Sequence, residues 1–426
     1  ELVERFGRIA SAEYRALGIA TALSPQIDLA TEPRWVRFSG TFGEDPDLAT
    51  DLARAYVDGF QTSDGETEIA DGWGYESVNA MVKHWPGGGP EEGGRDAHYS
   101  FGKYAVYPGG NFEEHLRPFI KGAFRLRGRT GKAAAVMPYY TISWGVNPSG
   151  ENIGNGFSRY LITDLLREKY GYDGVVCSDW GITHDYARIE ESDGKCWGTE
   201  NLGIAERHYL AIRAGVDQFG GNDDMRPILA AWHMWAEEFG EDSARKRFEQ
   251  SAIRLLLNMF RTGLFENPYV DPRRAEEVVG NPDFMKAGYE AQLRSIVLLK
   301  NHNDILPVPK RKKVYLSAGT TLGNNPDPKL VSRHYEPVAS PEEADFALVF
   351  IGEPDGGCGY DPEDRKQGGN GYVPISLQYG DYTAHTARAE SLAGGDPLEK
   401  STNRGYQGKR SSTKNRLELD RVLNTR

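Results

Sequence analysis

The chain has 426 residues, with 50 Lys and Arg against 62 Asp and Glu, a net charge of -12, and 39% hydrophobic and 26% charged residues. That length predicts two domains. The acidic balance argues against a nucleic-acid binder, which needs a basic stripe where this chain has only the short clusters Lys310-Arg311-Lys312-Lys313 and Lys409-Arg410, and no run approaches the roughly 18 apolar residues of a membrane span.

Glu1–Phe6 is a charged amphipathic stretch that lacks the basic start and apolar run of a signal peptide. A leader ahead of residue 1 would direct the protein to the periplasm or outside the cell; without one the cytoplasm is expected. Short apolar runs then alternate with amphipathic stretches to about residue 225, the pattern of βα units around a parallel sheet. The expected strands are Ile19–Ser24, Val78–Lys83, Ala133–Met137, Gly174–Ser178 and Gly215–Phe219. Each runs into a polar or aromatic cluster: Pro25–Asp28, Lys83-His84-Trp85, Pro138-Tyr139-Tyr140, Asp179-Trp180 and Phe219–Asn222. Functional side chains at the C-terminal ends of successive strands are what a (β/α)8 barrel supplies. Helices are expected over Ser158–Lys169, stopped by Gly171, and over Glu249–Phe260 and Lys286–Val297.

Glu266–Pro272 is rich in Pro and Asn and opens an expected linker over 266–285, between a catalytic domain at 1–265 and a second α/β domain at 286–426. The second domain has expected strands Val297–Lys300, Lys313–Leu316 and Asp345–Ile351. A Gly-rich loop region, 352–416, then precedes the periodic run Leu417–Leu423. Cys177, Cys196 and Cys358 are far apart with no CxxC spacing, so neither a disulfide framework nor a zinc site is expected.

Four segments carry the chemistry. Arg34-Trp35-Val36-Arg37 precedes the turn Phe42-Gly43-Glu44-Asp45-Pro46. Lys83-His84-Trp85-Pro86 runs into three glycines, Met137-Pro138-Tyr139-Tyr140 adds phenols, and Ser178-Asp179-Trp180 sets a carboxylate and an indole at a strand end. Each has an ordinary structural alternative, such as a helix-capping Asp for Asp179 or a surface loop for His84. Together, in this order and spacing, they resemble glycoside hydrolase family 3, over most of the chain. The resemblance implies a (β/α)8-type barrel, with its first strands missing from this sequence, followed by part of an α/β sandwich domain. It also implies a retaining exo-acting β-glycosidase without cofactor or metal. Its substrate would be an oligosaccharide or glycoside, most of all a β-D-glucoside and next a xyloside, and a homodimer is a candidate assembly. Asp179 would be the nucleophile, Trp180 would line the sugar subsite, Lys83, His84 and Arg37 would bind sugar hydroxyls, and Tyr140 would sit beside the nucleophile. A carboxylate suits that role because it can trap an oxocarbenium-like centre as a glycosyl ester.

The acid is less defined. Relatives place a Glu in a glycine-rich loop of the second domain, where this chain has Gly357-Cys358-Gly359-Tyr360-Asp361. Glu353, Asp355, Asp361 and Glu363 are carboxylates of the same loop. Asp96-Ala97-His98 resembles the dyad of the family's N-acetylglucosaminidases, with His98 as acid/base and Asp96 fixing its tautomer. Three further readings stay open: an N-acetylglucosaminidase using that dyad, a degenerate carbohydrate-binding homologue, and a metal-dependent hydrolase using His84, His98 and Asp179, disfavoured by ligand spacing.

Overall fold

A computed structural model describes residues 1–186, 193–317, 326–380, 382–383, 391–393, 409–410 and 413–425. The chain divides into two compact units, Glu1–Gln292 with Ser391–Leu398, and Leu293–Glu390 with Glu399–Arg426.

The first unit is built on four parallel strands, β1 (Thr21–Ala22), β2 (Asn79–Trp85), β3 (Ala135–Pro138) and β4 (Val175–Val176), lying side by side in chain order. A parallel bridge between Cys177 and Gln218 adds the expected fifth segment at the β4 edge. The strands are nearly continuous apolar runs because both faces are covered. Ala80, Val82, Val136 and Val176 pack outward into the main core with Val57 and Phe60 from helix Pro46–Gln61 and Leu161 and Leu165 from helix Tyr160–Lys169. The alternate residues Met81, Ala135, Met137, Val175 and Cys177 form a second, inner cluster with Leu255. Strand periodicity of two then carries this inner face on to Lys83 and Asp179 at the C-terminal ends.

Helix starts follow local chemistry. The acidic turn before Pro46 is an N-cap: Asp45 accepts the Leu48 amide at 2.7 Å and Pro46 holds the first helical position. The same device operates inside the expected linker 266–285, where Asp271 accepts the Arg273 amide at 3.0 Å and Pro272 opens helix Pro272–Val278. That linker therefore contains a helix, and the division between the units falls after Gln292.

The second unit holds a three-stranded parallel sheet in which Lys313–Ser317 lies between Glu336–Val338 and Phe346–Val349. Val297–Lys300 is not a strand. Its residues are exposed, Leu299 by 92%, and no described residue offers a ladder to it, so β propensity alone does not make it a strand. The region 352–416 is not loop throughout. Asp361 caps the short helix Pro362–Lys366, and Tyr382–Thr383 pairs with Lys409–Arg410. Residues 381, 384–390, 394–408 and 411–412 of that region lie outside the described residues. No described helix is long and apolar enough to cross a membrane.

Candidate active site

The C-terminal ends of the four strands converge on one cluster in the first unit. After β1, Asp28 is completely buried and accepts three hydrogen bonds: from the amides of His84 (3.0 Å) and Gly88 (2.6 Å) on Oδ1, and from His84 Nδ1 (2.8 Å) on Oδ2. Burial pushes Asp28 up, but the contacts with His84 and the two amides outweigh it and hold the carboxyl below its ordinary value. The Lys83–His84 stretch reaches Asp28 because the β2–β3 register slips there, Lys83 facing Met137 and Trp85 facing Pro138, so that His84 is turned out of the ladder. The following turn needs glycine: a Cβ on Gly89 would come within 1.5 Å of the Leu29 carbonyl oxygen.

His84 is 1% exposed, and burial, reinforced by Arg37, lowers its pKa despite Asp28. The neutral ring therefore carries its proton on Nδ1, toward Asp28, and presents an Nε2 lone pair to Arg37 Nη2 at 3.2 Å. The other arm of Arg37 donates to the Tyr139 hydroxyl at 3.3 Å. Arg34, from the same motif, instead pairs with Glu32.

Asp179 follows β4 and is 6% exposed. The Trp180 amide donates to Oδ1 at 2.8 Å, while Oδ2, buried, has no hydrogen-bond partner among the described residues and lies 3.8 Å from His84 Nε2. Both of these atoms are acceptors in the tautomer above, so neither satisfies the other. Tyr140 stands beside the carboxylate; burial and the Asp179 charge raise its phenol. Burial and Arg37 lower the Lys83 ammonium, against the pull of Asp179 and Asp28. Trp180 is 40% exposed and its indole rests on Gly220 and Gly221, where an added Cβ would lie 2.4 and 2.6 Å from ring atoms.

The dyad lies in the same unit. His98 Nδ1 and its amide both contact Asp96 Oδ1, the amide at 2.9 Å, and the Trp35 indole N–H donates to Oδ2 at 3.1 Å. The His98 ring stands edge-on to Tyr140, 4.8 Å between centroids. Arg37, Lys83, His84, Tyr140, Asp179, Trp180, Asp96 and His98 thus fall in one unit. Glu353 and Glu363 belong to the second unit, where Glu353 is exposed and Glu363 pairs with Lys366. Cys358 is exposed there as a free thiol. His84 spends Nδ1 on Asp28, and among the described residues no three His, Cys, Asp or Glu side chains are grouped as metal ligands.

Four residues in or around this cluster carry no assigned role in the sequence: Asp28, Tyr139, Glu91 and Lys195. Asp28 and Tyr139 sit in the strand-end clusters, which is a readable signal. Glu91 is 1% exposed; burial and Asp96 push its carboxyl well above the carboxylate range, and it accepts the Ala97 amide at 2.8 Å. Lys195 lies beyond the nucleophile in a segment with no periodicity.

A parallel α/β unit with an ionisable cluster at its strand ends is the arrangement of a barrel-type α/β domain. Residues 1–219 match the Glycosyl hydrolase family 3 N terminal domain, and the chain belongs to that family. It is 41% identical over 354 residues to a probable beta-glucosidase C of Aspergillus flavus, covering 83% of this chain and 52% of that protein. It is 42% identical over 368 residues to a periplasmic beta-glucosidase/beta-xylosidase of Dickeya chrysanthemi, covering 82% and 52%. The chain spans about half the length of these relatives. A solved beta-glucosidase from Listeria innocua, in complex with gluconolactone, shares the fold with a TM-score of 0.65 at 22% identity, over 83% of this chain and 49% of that one. A beta-glucosidase of intestinal bacteria involved in saponin metabolism has a TM-score of 0.58 at 26% identity, over 76% and 39%.

Proposed function

We propose that this chain carries the nucleophile-bearing part of a retaining, exo-acting β-glycosidase that removes terminal non-reducing β-linked sugars, β-D-glucosides before β-xylosides. The observation that carries this reading is Asp179: a buried carboxylate with one oxygen fixed by the Trp180 amide and the other unpartnered among the described residues. The free Oδ2 attacks the anomeric carbon as the glycosidic bond breaks, and the departing oxygen takes a proton from the acid. Water, deprotonated by the same group, then hydrolyses the glycosyl ester. Lys83, Arg37 and the His84 ring hold sugar hydroxyls, and Trp180 offers its exposed indole to the ring above it. The names of the relatives, beta-glucosidase and beta-xylosidase, support the choice of sugar.

The assembled Asp96/His98 pair favours one second reading, a β-N-acetylglucosaminidase with His98 as acid/base. Turnover of p-nitrophenyl glucoside, xyloside and N-acetylglucosaminide separates the two; cleavage of the last alone would replace the first reading. For the nucleophile, a 2-deoxy-2-fluoroglucosyl fluoride is expected to label Asp179. Asp179→Asn is expected to lower kcat by about 10³-fold or more with the circular dichroism unchanged. No labelling, with sugar still bound, would indicate a carbohydrate-binding homologue, and near-normal turnover of the Asn variant would sink the assignment.

A further inference from the structure

Two lysines of the first unit are buried, and they differ. Lys103, 8% exposed, pairs with Glu200 at 3.1 Å. Lys195 is 7% exposed, and among the described residues no acceptor or carboxylate comes within bonding distance of its ammonium. Its Nζ instead lies over the Tyr140 ring, 5.1 Å from the centroid, on the phenol that stands beside Asp179. The side chain is largely enclosed, but Nζ keeps some accessible surface, and a ring face satisfies none of its three donors fully.

The position is held on both sides. The Lys195 amide donates to the Gly181 carbonyl at 3.1 Å, which fastens it to the loop carrying Asp179 and Trp180. Two residues on, the buried Trp197 indole donates to the Ala97 carbonyl at 2.8 Å, within the Asp96–His98 segment. The carboxylates acting on the ammonium through space are Asp179, Asp193 and Asp96, in that order of strength, and they hold its pKa up against burial, which lowers it overall. The most strongly felt carboxylate is therefore the proposed nucleophile.

We propose that Lys195 is a sugar-contacting residue, its Nζ donating to a hydroxyl oxygen of the terminal sugar seated against Asp179. This rests on the reading that the Asp179 pocket takes a sugar, and it adds a second ammonium to the one expected of Lys83. The missing acceptor of Lys195 is then supplied by the substrate, and the Tyr140 ring serves as the shelf that aims the ammonium.

The test is calorimetric titration of wild type, Lys195→Met and Lys195→Arg with glucose, xylose and N-acetylglucosamine, with kcat and KM on the p-nitrophenyl glycosides and melting curves alongside. Lys195→Met is expected to weaken the preferred sugar and lower kcat/KM, each by about 10- to 100-fold, the value of a charge-assisted hydrogen bond. Lys195→Arg should recover part of the affinity. Because Met keeps the largely buried stem and removes a charge without a bonded partner among the described residues, the melting temperature should hold, whereas a purely structural lysine would lower it. Should the Met variant not fold, Lys195→Gln is read in the same way. Wild-type affinity in the neutral variant overturns the proposal and leaves the hydrolase reading intact. A wild-type protein that binds a sugar but cleaves none of its glycosides overturns the hydrolase reading, and the affinities still judge Lys195. A wild-type protein that binds none of the three overturns both.

Discussion

Asp28 has no exposed surface and uses both carboxylate oxygens, so the proton of His84 is held on Nδ1 and the Nε2 lone pair is turned to Arg37. Asp28→Asn would offer an amide donor to Nδ1 and favour the opposite tautomer, setting an N–H against the Arg37 guanidinium. Loss of kcat/KM by about 10²- to 10⁴-fold is expected, with an altered imidazole ¹⁵N signature by NMR; an unchanged rate would mean that the tautomer is irrelevant. His115 offers a pH test. It packs beneath the glycine turn, where a Cβ on Gly87 would come within 3.0 Å of it, and burial draws its pKa down to about 4. Below 6.5 the unfolded chain takes the proton first. The stability from this residue is therefore fully present above 6.5 and is lost as the pH falls to about 4, by about 3 kcal/mol. His84, also lowered, adds a slope of the same sign. His115→Gln is expected to flatten the fall of the urea midpoint over that window. Lys83, His84 and Asp179 could be read from sequence because each ends an apolar strand within a recognisable order. Lys195 could not, because it owes its place to the Gly181 and Trp197 contacts, which have no sequence signature.

Among the elements, one carboxylate ties the β4 edge to two helices. Asp217, its side chain fully buried, accepts the Val176 amide at 3.0 Å, Arg167 at 2.7 Å, and Arg254 and the Ser251 hydroxyl at 2.8 and 2.7 Å. Arg247 stands 3.5 Å away and also donates to the Val216 carbonyl at 2.7 Å. Removing the anion would leave three largely buried guanidinium groups without it. Asp217→Ala is therefore expected to cost about 3–5 kcal/mol in urea denaturation, while an exposed pair such as Arg245–Glu249 should cost less than about 1 kcal/mol. Three of the helices could be located from 3.6-residue periodicity at Ser158–Lys169, Glu249–Phe260 and Lys286–Val297, though they run over Tyr160–Lys169, Glu241–Arg261 and Pro282–Ser295. The helix at Pro272–Val278 was hidden by the same Asn and Pro residues that suggested a linker, because an Asp-Pro pair reads equally as a turn or as a cap and first turn.

For the molecule as a whole, the division after Gln292 is followed by the exposed apolar run Ile296–Leu299, whose members are 61–92% accessible. Chymotrypsin at low ratio is expected to cut first at Leu298 or Leu299 and to release a fragment that keeps all the groups around Asp179; initial cleavage inside Glu241–Arg261 would contradict that division. Short apolar runs alternating with amphipathic stretches made the parallel sheet of the first unit readable. The second unit was less so, since Val297–Lys300 has the composition of a strand and nothing to pair with among the described residues.

The amide of Trp180 has a bearing on how long a glycosyl ester would last. When Oδ2 becomes the ester oxygen, Oδ1 is left as a neutral carbonyl, and its hydrogen bond to Trp180 weakens; when the sugar departs, Oδ1 shares the returning negative charge and the bond tightens. The tether thus makes the carboxylate of Asp179 a better leaving group. In the proposed reaction it favours rapid emptying of the covalent intermediate over its accumulation, so that formation of the ester sets the pace of turnover.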